Sequence, residues 1–148
     1  MYSDLKDVRF FQGDIFKDTP FFIIPNDNEP AVQVENLTIM ILSQTCDIQR
    51  EERDFIIAAK VVEMQKLKDD SGAKETFIQG LRNRSVKYFF YLPPDNDLWP
   101  ESYVDFQQIV YLPKKFLKDN NRVKSLSDLG RHWLLYQIAD YFGRPIKR

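Results

Sequence analysis

The chain contains one cysteine, so no disulfide can close within it and a zinc site built from thiolates is excluded. A single histidine leaves no His-x-x-x-His pair, and transition-metal binding is without support. Glycine is scarce, at five residues, and none of it forms a phosphate-cradling loop, so no cofactor such as ATP, flavin or haem is signalled. Nor is there a basic excess: 21 Lys and Arg face 22 Asp and Glu, for a net charge of −1. A broad phosphate-gripping surface is therefore not expected, although a local basic patch stays open. No apolar run approaches the ~20 residues of a membrane helix. The opening Met1-Tyr2-Ser3-Asp4-Leu5-Lys6 has no apolar signal core. With its lone thiol, the chain reads as a protein of a reducing compartment, cytoplasmic and without a membrane span.

What is present points to one globular domain over residues 1–148, with 43% hydrophobic and 29% charged residues. Aromatics reach 14%, with twelve Phe and seven Tyr, which favours a β-rich fold.

Along the chain, residues 1–12 read as a short lead-in, with about one turn of helix. Gly13-Asp14 marks a bend and Ile15-Phe16 starts a strand. Phe21–Ile24 is a second apolar run between Pro20 and Pro25, neither of which can donate to a ladder, so it is either short or at an edge. Residues 26–30 read as a loop and 31–35 as a weak strand. Leu37–Ser43 is apolar on both faces and is the expected central strand, with Phe55–Met64 as its antiparallel partner. Residues 65–84 are the least regular, with a solvated loop at Lys68–Gly72 and a short helix over Lys74–Leu81. Ser85–Leu92 and Ser102–Leu112 read as strands. The clearest helix comes last, with Ser125 and Asp128 in capping-box spacing and Leu126, Leu129, Trp133, Leu134, Ile138, Tyr141 and Phe142 as its stripe. Gly143-Arg144-Pro145 stops it. The expected fold is mainly β with a C-terminal α-helix, a small barrel or strongly coiled sheet.

Gly13-Asp14-Ile15, the strand ending in Ser43, and Ser102-Tyr103-Val104-Asp105-Phe106-Gln107-Gln108-Ile109 before a terminal helix resemble the MazF/PemK type of SH3-like barrel. That resemblance implies a bacterial ribonuclease toxin of a toxin–antitoxin pair. Ser43-Gln44-Thr45-Cys46-Asp47-Ile48, Tyr91-Leu92-Pro93 and Tyr141-Phe142-Gly143-Arg144 are similar to a group of uncharacterised bacterial proteins with a Ser-Gln-x-Cys-Asp-Ile strand end. This second likeness is the more specific and implies no activity.

Three constellations could carry chemistry. Cys46 with Asp47, and His132 if helix and strand meet, would make a catalytic thiol with a base, rimmed by Ser43, Gln44 and Thr45. The same Cys46 equally suits a small buried hydrophobe, with Asp47 capping a turn. Asp14, Asp47 and Asp105 either converge on a magnesium ion or bond their own backbone amides. Arg82, Arg84 and Lys87 precede an aromatic strand and suit phosphate and single-stranded RNA, or else sit on a solvated loop. Arg122, Lys124, Arg144, Lys147 and Arg148 form a second basic zone. Two function classes follow. One is an RNA-cleaving toxin or phage-defence effector, a metal-independent endoribonuclease with a protein partner such as an antitoxin and possible homodimers. The other is a non-catalytic module that binds a protein or nucleotide through the Gln44–Asp47 rim.

Overall fold

A computed structural model describes residues 1–5, 9–23 and 33–143; the side chains of 22, 23 and 33 are not described. The loop expected at 26–30 and the basic tail residues Arg144, Lys147 and Arg148 lie outside them. The chain forms β1 (Tyr2–Ser3), β2 (Ile15–Ile23), β3 (Gln33–Ile41), α1 (Thr45–Gln49) and β4 (Phe55–Glu63). It continues with α2 (Met64–Ser71), α3 (Glu75–Arg82), β5 (Phe89–Leu92), β6 (Ser102–Pro113), β7 (Arg122–Leu126) and α4 (Asp128–Phe142). Among the described residues the strands make one antiparallel sheet of seven in the order β1-β7-β2-β3-β4-β6-β5. The fold is thus mainly β with a C-terminal helix, as the sequence implies.

The sheet coils until its two edges meet without closing. Tyr2 on β1 donates its hydroxyl to the carbonyl of Pro93, just past β5, at 2.6 Å. Its ring meets Trp99 edge to face, and Lys124 on β7 pairs with Asp95. Side chains bridge the seam where a ladder is absent.

β3 is apolar on both faces because both are covered. Met40 and Leu42 join the main core with Ile15, Phe90, Val104 and Phe106, closed over by Leu134 of α4. Ile39 and Ile41 face a second core with Phe16, Ile56, Leu112 and Ile48 of α1. Successive β residues point to opposite faces, so α1 and α4 lie on opposite sides of the sheet. A third cluster, with Met64, Ile78, Leu81 and Tyr103, seats α2 and α3.

Several expectations are corrected. The lead-in includes a short strand, β1, and the 65–84 stretch is mostly helical, with Lys68–Ser71 inside α2 and Gly72 as its left-handed cap. Phe21 does not begin a separate strand: β2 runs through Pro20, which pairs with Asn36. Among the described residues the strand beyond Phe16 has β3 on one side only, the edge position that its prolines allow, where a residue with no N–H is tolerated. A bulge at Lys17–Asp18, with Asp18 at φ 49°, turns it there. The helix cap is Ser127, whose hydroxyl accepts from the Gly130 N–H at 3.1 Å; Ser125 belongs to β7. The stripe also shifts. Leu134 and Gln137 are buried, while Leu129, Trp133, Leu135, Tyr136 and Phe142 stay exposed, because α4 carries apolar residues on both faces.

Ser125 is free of the cap because its hydroxyl donates to Asp14, a wholly buried carboxylate in the bend before β2. Asp14 also accepts the Phe11 N–H at 2.9 Å and pairs with Arg122 at 3.2 Å, and Arg131 of α4 stands 3.9 Å away. Arg131 donates on to the Gln12 carbonyl and to Ser125. Gly13, at φ 87°, makes the bend; a Cβ there would lie 2.7 Å from a Leu126 methyl. Asp14→Ala strips Arg122 of its buried anion, while Asp119 still meets it at 3.0 Å, and is expected to cost about 3 kcal/mol. Urea unfolding checks this, and a loss of under about 1 kcal/mol, as at a surface pair, would overturn it.

Candidate functional site

The basic residues before β5 do not act alike, and hydrogen bonding separates them. Arg82, at the end of α3, makes a fork to Glu101: Nε and Nη2 each donate to a carboxylate oxygen at 2.9 Å. The Tyr91 hydroxyl donates to the same carboxylate at 2.6 Å. The fork raises the Arg82 guanidinium and, as the largest cause, holds the Glu101 carboxyl below its ordinary range. Burial first, then the bond to Glu101, pushes the Tyr91 phenol up to about 12. Arg82 is therefore already occupied by an anion.

Arg84 is not. It follows the end of α3 in the left-handed conformation, φ 59°. Its N–H bonds the Leu81 carbonyl and that of Ser85 bonds the Gly80 carbonyl, the double bond of a Schellman stop. This geometry throws the Arg84 side chain back over the sheet end, where its guanidinium lies 4.4 Å from the Trp133 ring centroid and 4.9 Å from that of Phe90. One N–H reaches the Tyr91 carbonyl at 3.2 Å. Burial lowers its pKa from the ordinary arginine value, and among the described residues no carboxylate pairs with it.

Gln137 fixes the wall on which Arg84 stands. Its buried amide donates to the carbonyls of Val86, Lys87 and Phe89 at 3.3, 3.0 and 2.8 Å, pinning the segment before β5 to α4. Between them runs a groove of about 770 Å³ whose lining includes Arg84, Lys87, His132, Trp133 and Tyr136. Lys87 reaches Asp140 at 3.5 Å across its rim, an exposed pair that holds its ammonium only weakly. The His132 and Tyr136 rings are 5.9 Å apart. A cation, a flexible ammonium, an imidazole and two exposed rings thus share one concavity.

Cys46 and Asp47 lie elsewhere. They are on α1, whose Ile48 packs into the core on the face of the sheet away from α4, so the structure does not bring them to His132. Cys46 is exposed, not buried, with its sulfur 3.7 Å from the Gln44 amide oxygen. The rim residues make a corner: the Ser43 hydroxyl accepts the Ile57 N–H at 2.7 Å, and Thr45 accepts that of Gln12 at 3.1 Å. Asp47 pairs with Arg50 at 3.6 Å. Asp14, Asp47 and Asp105 do not converge. Asp105 accepts from the Gln107 N–H and the Gln108 amide, and among the described residues no three acidic, His or Cys side chains are grouped to hold a metal. Of the second basic zone, Arg122 and Lys124 are committed to Asp14 and Asp95.

The sequence singled out Arg84, Lys87 and His132 but had no means of finding Trp133, Tyr136 and Gln137 as their companions. Trp133 was read as part of the buried stripe, and Tyr136 and Gln137 carried no signal of their own.

No family model matches the chain, and no curated protein matches its sequence. Among solved structures it is similar to an endoribonuclease from a mycobacterial species, with a TM-score of 0.53 over 95% of this chain and 100% of that one. Identity is 12%, so the likeness is one of fold. No helix among the described residues is long and apolar enough to cross a membrane.

The fork between Arg82 and Glu101 has an acid signature. Because the folded carboxyl titrates below the unfolded one, the stabilisation is complete above about pH 4.3 and is lost as pH falls through the folded value. Arg82→Met is expected to unfold at lower temperature at neutral pH and to lose less on acidification below about pH 4.3 than wild type does. Thermal melts across that range check it; parallel acid limbs would overturn the assignment.

Proposed function

We propose that the chain is a bacterial, MazF/PemK-like protein that cuts single-stranded RNA in the groove beside α4. The observation that supports this most is Arg84, a partly desolvated cation with no carboxylate partner among the described residues, set in the same concavity as Lys87 and His132. A guanidinium out of water favours an anion, and its planar fork suits a phosphate. That the fold resembles an endoribonuclease supports RNA as the bearer of that phosphate.

The reaction needs no metal. His132 takes the proton from a ribose 2′-hydroxyl, whose oxygen forms a bond to the neighbouring phosphorus. The bond from phosphorus to the 5′-oxygen breaks, leaving a 2′,3′-cyclic phosphate, and the departing oxygen takes a proton from water. Arg84 and Lys87 balance charge that grows on the phosphoryl oxygens. Trp133 and Tyr136 offer faces on which unpaired bases stack. Asp140 holds Lys87 at the rim until a phosphate displaces it. Cys46 and Asp47 stand outside this chemistry. A cell producing such an enzyme needs a protein that restrains it, so an antitoxin-like partner belongs to the same reading.

Expression in bacteria with total RNA examined on a gel tests it. Wild type is expected to arrest growth and leave cut RNA with cyclic-phosphate ends. His132→Ala and Arg84→Ala should each cut at least about 100-fold more slowly, while Arg82→Met and Cys46→Ala, matched for soluble protein, cut normally. Healthy cells with intact RNA would sink the nuclease and favour a non-catalytic binding module on the same scaffold.

A further inference from the structure

The face of the sheet that α4 covers is bare further along β4 and β6. Phe55 and Ile57 have the parity of the buried Ala59 and Val61 but are 47% and 43% exposed. Across the ladder, Tyr111 stands opposite Ile57 and Ile109 opposite Ala59, and Tyr111 is 69% exposed. The rings of Phe55 and Tyr111 are parallel within 7°, their centroids 5.1 Å apart. The rings stack on each other across the strands, which steadies the sheet, and the surface each leaves exposed is of the kind an unpaired base stacks on.

The charge beside the rings narrows the occupant. Phe55 also lines a cavity of about 650 Å³ with Arg50, Arg53, Lys114 and Lys115, against Glu51 and Asp54. Arg50 is paired with Asp47, so Arg53, Lys114 and Lys115 against Glu51 and Asp54 leave a local charge of +1 on a chain whose net charge is −1. Lys114 uses one donor on the Arg50 carbonyl, at 2.6 Å, and keeps two N–H for another acceptor. Arg53 and Lys115 are exposed. Parallel rings flanked by cations match the alternation of base and phosphate along a single strand. An acidic peptide would use the cations but not the flatness of the rings.

We propose that Phe55 and Tyr111, with Arg53, Lys114 and Lys115, form a stacking platform that holds single-stranded RNA outside the cleavage groove. The platform rests on the reading of the protein as an RNA-cutting enzyme, and adds to it a second place where substrate is gripped.

The test uses a fluorescent 2′-O-methyl oligouridylate of about a dozen nucleotides, which binds but lacks the attacking hydroxyl, read by anisotropy. Tyr111→Ala is expected to weaken binding about tenfold and Tyr111→Phe to restore it. Lys114→Gln with Lys115→Gln should lower the dependence of binding on salt. Phe55→Ala with an unchanged melting temperature guards against misfolding as the cause. Wild-type affinity in both Tyr111→Ala and Phe55→Ala would overturn the platform, as would failure of wild type to bind the oligonucleotide. So would a halved mass in solution for Tyr111→Ala, since the rings would then be buried between two copies. Should binding follow Tyr111 while natural RNA stays uncut, the nuclease fails and the platform stands. Cut RNA with binding unchanged in both Tyr111→Ala and Phe55→Ala fails the platform alone.

Discussion

The buried carboxylate of Asp14 is the point on which the rest of the molecule depends. It draws together the segment before β2, the strand β7 and the first turn of α4, through Phe11, Ser125, Arg122 and the nearby Arg131. A buried ion pair is seldom a net gain over well-packed apolar groups, because taking both charges out of water costs about what their attraction returns. What it supplies is direction. Each partner must be met at one distance and angle, so the seam between the chain's beginning and end cannot slide as a greasy contact could. That seam sets where α4 starts, and so sets which of its residues meet the segment before β5.

From this anchoring the two-sided sheet follows. β3 delivers Met40 and Leu42 to one core and Ile39 and Ile41 to the other, so every helix must choose a face. α1 takes one and α4 takes the other. The thiol corner and the histidine groove belong to helices on different faces, joined at one end by Gln12, whose N–H goes to Thr45 and whose carbonyl accepts from Arg131. Among the described residues Cys46 meets Gln44, Asp47 meets Arg50 and His132 meets Tyr136, so the structure shows no contact within the trio that sequence chemistry makes attractive.

How much was legible follows from the same physics. The central strand showed itself because burial on both faces forces an unbroken apolar run, and α4 because its apolar spacing and glycine stop are local. The length of β2 did not, since Pro20 is harmless only once it is known that β7 ends beside Phe16. The cap at Ser127 was hidden by Ser125, equally well spaced on paper and claimed in fact by Asp14. Most instructive are Arg82 and Arg84, two places apart in one basic cluster. Nothing in composition distinguishes them; Glu101, far along the chain, does. The groove was therefore half visible: its ionisable residues could be named, but the aromatic wall and the amide that holds it come from tertiary packing.

Arg84 also shows where stability was not the governing demand. The left-handed position after a helix end belongs to Gly by preference and to Asn next, and a larger side chain there is strained by about 1 kcal/mol or more. Asn83 is at hand, one residue too early, with φ −83°. Exchanging the order of the two would relieve the backbone and leave α3 its Schellman stop. It would also take the guanidinium off Trp133 and out of the groove. The chain accepts both backbone strain and a partly desolvated charge at the same residue, and the rings of Trp133 and Phe90 and the Tyr91 carbonyl offset part of the second. An anion at rest against the guanidinium would offset more of it, which is consistent with a site shaped for a ligand, while the left-handed backbone keeps the side chain over the groove throughout.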